Sequence, residues 1–295
     1  MLAGLQLVVE PKELIAVVNV GDDAVMHGLH ISPDIDTCTY TLAGAINPET
    51  GWGLVGESWN AMTALERYGG LTWFRLGDKD LATHLYRTHR LGQGAPLSVV
   101  TAEICAGWAL GVRLVPVTDD PLATTVQLTD GSTISFQDYF VRLHHEVAIT
   151  GVTFAGAATA RPAPGVLEAL AEAERVIIAP SNPIVSIGPL LAVPGVRAAL
   201  ERRREATVAI SPIVGGAALK GPADRMLREL GHEVSVVGVA RLYASLASVL
   251  VIDEIDAHLA DQVTAAGPRA VVAPTIMSTP ERAAALGRVA LECLS

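Results

Sequence analysis

Residues 19–41, NVGDDAVMHGLHISPDIDTCTYT, decide how the fold of this chain is read. They follow an apolar, β-branched run, Leu14-Ile15-Ala16-Val17-Val18, and carry two acid pairs: Asp22 and Asp23, then Asp34 and Asp36 in a Pro-containing loop. A buried parallel strand reads as a continuous apolar run, and ligands of open α/β sheets bind outside the carboxyl ends of such strands. The acids therefore stand where a site is expected. Any one Asp at a strand end is about as often a cap or turn residue, but two pairs in one short stretch suit a divalent cation. Mg²⁺ takes one or two carboxylates and leaves its other positions to water and phosphate oxygens. His27 and His30 lie beside the acids without further ligands at zinc-site spacing.

Outward from this stretch, the second half of the chain alternates helix and strand. Apolar runs at Val176–Ala179, Thr207–Ile210, Val234–Val239, Ser248–Ile252 and Ala270–Ala273 are separated by helical patterns, the last opening on Thr279 as N-cap and Pro280 at the first position. Strands alternating with helices predict right-handed crossovers and a parallel sheet. Thr124–Leu128, Asp130-Gly131 and Thr133–Phe136 form a hairpin signal of type I′. The expectation is an α/β fold, a Rossmann-like doubly wound parallel sheet with a smaller inserted α+β subdomain. Residues 1–46 and 156–295 form the core and 47–155 the insertion. Residues 2–10 read as the end of a helix closed by Pro11, and Tyr40–Ala45 as helical continuation after the acidic loop.

Composition narrows the function. Half of the 295 residues are hydrophobic and only 4% aromatic, so the core is aliphatic, and a net charge of −10 argues against a nucleic-acid or anionic-membrane surface. The three cysteines, Cys38, Cys105 and Cys293, lack metal-ligand spacing and fit a reducing cytoplasm. No apolar run is long enough to span a bilayer. Asp80 starts a helix on which His84 and Arg87 share its face, with Lys79 beside it as a solvated charge or an anion contact. The Ser181-Asn182-Pro183 loop, at a strand end, is either a rigid turn or a set of donors for a phosphate or base. Ser186 has no partners for a hydrolase triad.

Five segments also carry a resemblance: Asn19-Val20-Gly21-Asp22-Asp23, Ser32-Pro33-Asp34-Ile35-Asp36-Thr37, Gly77-Asp78-Lys79-Asp80-Leu81-Ala82-Thr83-His84, Ala179-Pro180-Ser181-Asn182-Pro183-Ile184-Val185-Ser186-Ile187-Gly188 and Ser211-Pro212-Ile213-Val214-Gly215. Together, in this order, they resemble the 2-phospho-L-lactate transferase family, whose actinobacterial members act as phosphoenolpyruvate transferases in coenzyme F-420 biosynthesis. The resemblance implies a Mg²⁺-dependent transfer to the ribityl hydroxyl of the deazaflavin Fo (7,8-didemethyl-8-hydroxy-5-deazariboflavin). The donor would be a guanosine diphosphate-linked three-carbon acid, GMP would leave, and the enzyme would be a homodimer. It places Asp22, Asp23, Asp34 and Asp36 at the metal, with Asp36 as the catalytic group. Asp34, Asp36, Asp78, Lys79, Thr83 and His84 fall on the Fo or donor-phosphate side, and Ser181 and Asn182 at the guanosine nucleotide. It further implies a strand and a Gly-Gly-x-Gly-like loop ahead of Leu2-Ala3-Gly4-Leu5-Gln6. The rival reading is a catalytically silent, nucleotide-sugar-binding regulator of the gluconeogenesis-factor-like type, which is similar in the early Asp-rich loop.

Overall fold

The structure, a computed structural model, describes residues 1–294. A short helix α1 (Leu2–Leu5) precedes strand β1 (Ile15–Val18), so only the start of the 2–10 run is helical. After β1 the chain turns through Gly21-Asp22-Asp23 into a hairpin of β2 (Ala24–Met26) and β3 (Leu29–Ile31). Its two-residue turn, His27-Gly28, has positive φ at both positions, 54° and 77°, as a type I′ turn requires. Helix α2 (Pro33–Leu42) follows at once. Asp34 and Asp36 thus stand in the first turn of a helix and not in a loop; Pro at the first helical position and acids near the positive end of the helix dipole are the physical reasons.

Helices α3 (Asn60–Glu66), α4 (Asp80–Gly92) and α5 (Leu97–Gly107) lead to β4 (Arg113–Pro116), which pairs in parallel with β1, Val18 opposite Pro116. The 47–155 stretch therefore returns to β1 before leaving again into an antiparallel sheet. That sheet contains β5 (Ala123–Leu128), β6 (Thr133–Ser135) and β7 (Ile149–Ala155) in the order β6-β5-β7. The Asp130-Gly131 turn is not type I′: Gly131 alone takes positive φ, 86°, within a longer loop over residues 129–132, where Asp130 Oδ1 accepts from the Ser132 amide at 2.9 Å.

The second half builds α6 (Val166–Glu172), β8 (Val176–Ile178), α7 (Gly188–Ala192), α8 (Val196–Arg202) and β9 (Thr207–Ile210). Then come the short hairpin β10 (Ile213–Val214) and β11 (Ala217–Ala218), and α9 (Ala223–Glu229), α10 (Val236–Tyr243), β12 (Val249–Ile252), α11 (Ala260–Ala266), β13 (Arg269–Val272) and α12 (Pro280–Glu292). Strands β8, β9, β12 and β13 are all parallel, ordered β13-β12-β9-β8, and the β1–β4 pair is a separate parallel ladder. Alternate residues serve opposite faces. Val208 and Ile210 pack with Leu286 and Ala290 of α12, whereas Ala209 and Leu250 join the main core with Val237 and Ala240 of α10.

Val234–Val239, expected as a strand, lies at the start of α10. Ser235 caps that helix by accepting from the Val237 and Gly238 amides at 3.1 Å each, and Val236, Val237 and Val239 are buried, so packing overrides the β preference of valine. Thr279 caps α12 by accepting from the Arg282 amide, with Pro280 first in the helix, as the sequence indicates. Among the described residues no single helix is long and apolar enough to cross a membrane.

Candidate active site at the end of the first strand

Asn19, buried at the carboxyl end of β1, is the joint of the site. Its Nδ2 donates to Asp34 Oδ2 at 2.8 Å and lies 3.5 Å from the Val185 carbonyl, while its Oδ1 accepts from the Gly21 amide at 2.8 Å. One carboxamide thus ties the strand end, the first turn of α2 and the loop after β8. Asp22 and Asp23 follow in the turn. Ser32 Oγ donates to Asp23 Oδ2 at 2.7 Å, and Gln137 Nε2 donates to the Asp22 carbonyl at 2.7 Å. Asp22 Oδ1 and Asp23 Oδ1 are shielded from solvent and have no hydrogen-bond donor.

The electrostatics follow from that placement. Burial, then the charges of Asp34 and Asp23, push the Asp22 carboxyl well above the usual carboxylate range. Burial likewise raises Asp23 well above it, against the Ser32 bond and the Arg87 charge. Asp34 is raised by burial, against its bond from Asn19. Among the described residues no basic side chain is hydrogen-bonded to these three acids. The set fits a divalent oxygen-seeking cation, whose charge and coordination would satisfy the orphaned oxygens.

Asp36 stands differently. The Arg87 guanidinium, 0% exposed, grips it with two prongs: Nη1 donates to Oδ2 at 3.1 Å and Nη2 donates to Oδ1. His84 Nδ1 lies 3.3 Å from Arg87 Nη1, and His84 Nε2 is 3.3 Å from Asp80 Oδ2. The Tyr40 hydroxyl donates to Asp80 Oδ1 at 2.5 Å and sits 2.8 Å from Thr83 Oγ1. Burial works to raise the Asp80 carboxyl, but the bond and charge of His84, the Tyr40 bond and Arg87 together hold it below its ordinary value. Ligand atoms of Asp36, Asp80 and His84 gather within 4.8 Å of one another, but Arg87 already brings a positive charge into this group.

The remaining sequence candidates have internal work. Asp78 caps the start of α3, accepting from Ser58 Oγ at 2.6 Å and from the Asn60 and Ala61 amides at 3.0 Å each. The Ser58 bond, followed by those amides, holds its carboxyl below the usual range. Lys79 Nζ donates to the Val55 carbonyl at 3.0 Å, and the Lys79 and Asp80 amides donate to Glu57. After β8, Asn182 Oδ1 accepts from the Ile184 and Val185 amides at 2.9 and 3.4 Å, and its Nδ2 faces Met226 Sδ at 3.4 Å. The Ser181 hydroxyl has no partner within the described chain, so Ser181 is free for a ligand where Asn182 is a cap. Asn182→Ala is expected to cost about 1 kcal/mol of stability, the usual worth of such a cap, with thermal midpoint as the measurement; an unchanged midpoint would refute the assignment.

Beside Asp22 and Asp23 opens a cleft of about 520 Å³, with Met26, Trp73 and Phe136 among its apolar walls and Thr124 and Gln137 among its polar ones. Its size lies in the range of small-molecule sites. Sequence reasoning left Asn19, Ser32, Tyr40 and Gln137 without roles. Asn19 sat inside a quoted motif, and an Asn at the end of an apolar strand was a usable signal; Gln137 offered none, because its partner is more than a hundred residues away.

The family model described as 2-phospho-L-lactate transferase CofD matches residues 1–273. The phosphoenolpyruvate transferase of Streptomyces griseus subsp. griseus is 44% identical over 296 residues, covering 99% of this chain and 93% of the relative. That of Nocardia farcinica is 42% identical over 298 residues, 99% of this chain and 90% of the relative, and that of Mycolicibacterium smegmatis is 43% identical over 286 residues, 95% and 88%. Among solved structures, protein BH3568 of Bacillus halodurans is similar in fold, with a TM-score of 0.61 at 14% identity over 98% of this chain and 96% of its own. A second structure of that protein, a UPF0052 family member, gives 0.59 at 15% identity, covering 99% and 94%. With its acids gathered at the end of β1 and a family match running through most of its length, the chain belongs to the CofD family of transferases of coenzyme F-420 biosynthesis.

Proposed function

We propose that this chain transfers a phosphoenolpyruvyl group, or its 2-phospho-L-lactyl counterpart, from a guanosine diphosphate-linked donor to the ribityl hydroxyl of Fo, releasing GMP. The observation that carries the reading is the pair of orphaned carboxylate oxygens, Asp22 Oδ1 and Asp23 Oδ1, in acids that line an apolar-walled cleft at the carboxyl end of a parallel strand. Trp73 and Phe136 give the cleft apolar walls against which a flat deazaflavin ring would lie. Phosphoryl-type transfer asks for positioning and charge neutralisation more than covalent chemistry by the protein. Mg²⁺, when bound, supplies that neutralisation on the donor phosphates.

Asp22 and Asp34 would hold the cation, oriented by Asn19 and by the bond from Gln137 to the Asp22 carbonyl. The hydroxyl oxygen of Fo forms the new bond to the phosphorus that bears the three-carbon acid, and the bond from that phosphorus to the oxygen of GMP breaks. The hydroxyl proton passes to Asp23 Oδ1, the free oxygen of an acid whose other oxygen Ser32 holds. Ser181 donates to the guanosine nucleotide from the end of β8.

The test supplies the protein with Fo, Mg²⁺ and either the enolpyruvyl or the lactyl guanosine diphosphate donor, and follows product by mass. The expected result is the Fo phosphodiester with stoichiometric GMP and none on adding excess chelator. Saturable nucleotide binding with no product from either donor would instead support the silent regulator.

A further inference from the structure

We propose that Arg142 binds the ionised edge of the acceptor ring, donating to the deprotonated 8-hydroxyl of the deazaflavin. The inference rests on the transferase reading for the identity of that ring. Among the residues that line the cleft beside Asp22 and Asp23, Arg142 is the one Lys or Arg. Its guanidinium has a single ionic partner among the described residues, Asp138, with Nε 2.7 Å from Oδ1, and its side chain is 47% exposed. Asp138 is itself held: Ser135 Oγ donates to its Oδ2 at 2.7 Å, and its amide donates to Ser135 Oγ at 3.0 Å. Contact through Nε leaves the two Nη groups, four N–H donors, without a further partner among the described residues, in a cleft that Ser135, Asp138 and Arg142 all line.

The segment that carries Arg142 also carries an apolar wall of the cleft. Phe136 lines it and stacks on Phe140, with ring centroids 5.4 Å apart and 12° between their planes. Tyr139, 0% exposed, packs with Phe136 in one apolar cluster. The Leu143 amide donates to the Asp138 carbonyl at 2.9 Å, closing a π-type turn of the kind that recurs at functional sites. A flat ring lying against Phe136 would therefore meet Arg142, one turn further along this anchored segment, at its rim. The ring's own chemistry supplies the anion. Its 8-hydroxyl is conjugated through the ring with a pyrimidine carbonyl, so it is a vinylogous acid that gives up its proton more readily than an ordinary phenol. The oxygen that remains suits a guanidinium with open donors. Asp22, Asp23 and Asp138, the acids of the same cleft, all act against ionisation of the ring, which leaves Arg142 as the lining group that favours it.

The neutral and ionised rings absorb at different wavelengths, so a pH titration of the Fo–protein complex by absorbance, without donor or Mg²⁺, reads the contact. Bound Fo is expected to ionise about one pH unit lower in wild-type protein than in Arg142→Met, because a loss of about tenfold in affinity confined to the ionised ring is by linkage a shift of that size. Affinity for the neutral ring, measured on the acid side, should agree between the two within about threefold. Arg142→Lys should keep part of the shift, since it has the charge without the planar fork. Fo bound by wild type and Arg142→Met with the same ionisation would overturn the proposal. So would a KM that rises in Arg142→Met for the donor and not for Fo, which would place Arg142 on the donor side. Absence of any Fo binding to wild-type protein would sink the transferase reading and this assignment together, whereas binding with an unmoved ionisation sinks the assignment alone.

Discussion

Asp22→Asn is expected to lower turnover by roughly 10²–10³-fold, the usual consequence of deleting one electrostatic contact to a transition state, while making the metal-free protein more stable. The two effects share one cause. In the fold, burial and the neighbouring charges of Asp34 and Asp23 hold the Asp22 carboxyl above its ordinary range, and Asp23 and Asp34 are raised by burial as well. An acid with a raised folded-state value keeps its proton to higher pH in the fold than in the unfolded chain. Between the unfolded carboxylate range, near about pH 4, and the raised folded values, the folded state therefore binds more protons. Stability is fully present below that window and declines as pH rises through it.

Three consequences can be measured by thermal unfolding. The midpoint of metal-free wild-type protein should fall as pH is raised from the mildly acidic range to neutrality, and Mg²⁺ should reverse the fall. Asp22→Asn should show a shallower fall and a midpoint higher by roughly 2–4 °C for each kcal/mol of relieved repulsion. It should also respond less to Mg²⁺. A variant with normal turnover, or with a pH profile and Mg²⁺ response identical to wild type, would remove Asp22 from the metal site.

What the sequence could show of this site was set by how local each interaction is. The strand and its acids were legible because a β-branched apolar run ending in Asn-Val-Gly-Asp-Asp is a local pattern, and the face shared by Asp80, His84 and Arg87 follows from helical spacing alone. Their partner on α2 was not legible, because Asp36 and Arg87 are 51 positions apart and nothing in either neighbourhood names the other. The same limit explains Gln137 and Asp22. Two misreadings were local and correctable. Pro33 marked a helix start rather than a loop, and His27-Gly28, two residues between short apolar runs, was the type I′ turn that Asp130-Gly131 was taken to be. The Val236–Val239 run shows the opposite case, in which tertiary burial overrides a strong local preference.

Gly21→Ala is expected to cost about 1–3 kcal/mol, as overpacking in a close-packed region does, and to lower kcat by about 10²-fold, the effect of misplacing reacting groups by near 1 Å. The constraint is steric rather than conformational. A Cβ built on Gly21 would stand 2.6 Å from Thr124 Oγ1 and 2.9 Å from Pro189 Cβ, while the Gly21 carbonyl accepts from the Thr124 amide at 2.6 Å. Backbone from the end of β1 is thus pressed between the first residues of the antiparallel sheet and the start of α7, with no room for a methyl group. The next two residues are Asp22 and Asp23, so any outward shift carries both acids away from Asn19, Asp34 and the cleft. Thr124→Ala in the Gly21→Ala background removes the nearest obstructing atom and leaves Pro189 in place. It should therefore recover part, not all, of the lost midpoint and kcat. Full activity of Gly21→Ala would show that this turn has slack, and the placement of the acids would then depend on Asn19 and Ser32 without support from the sheet behind them.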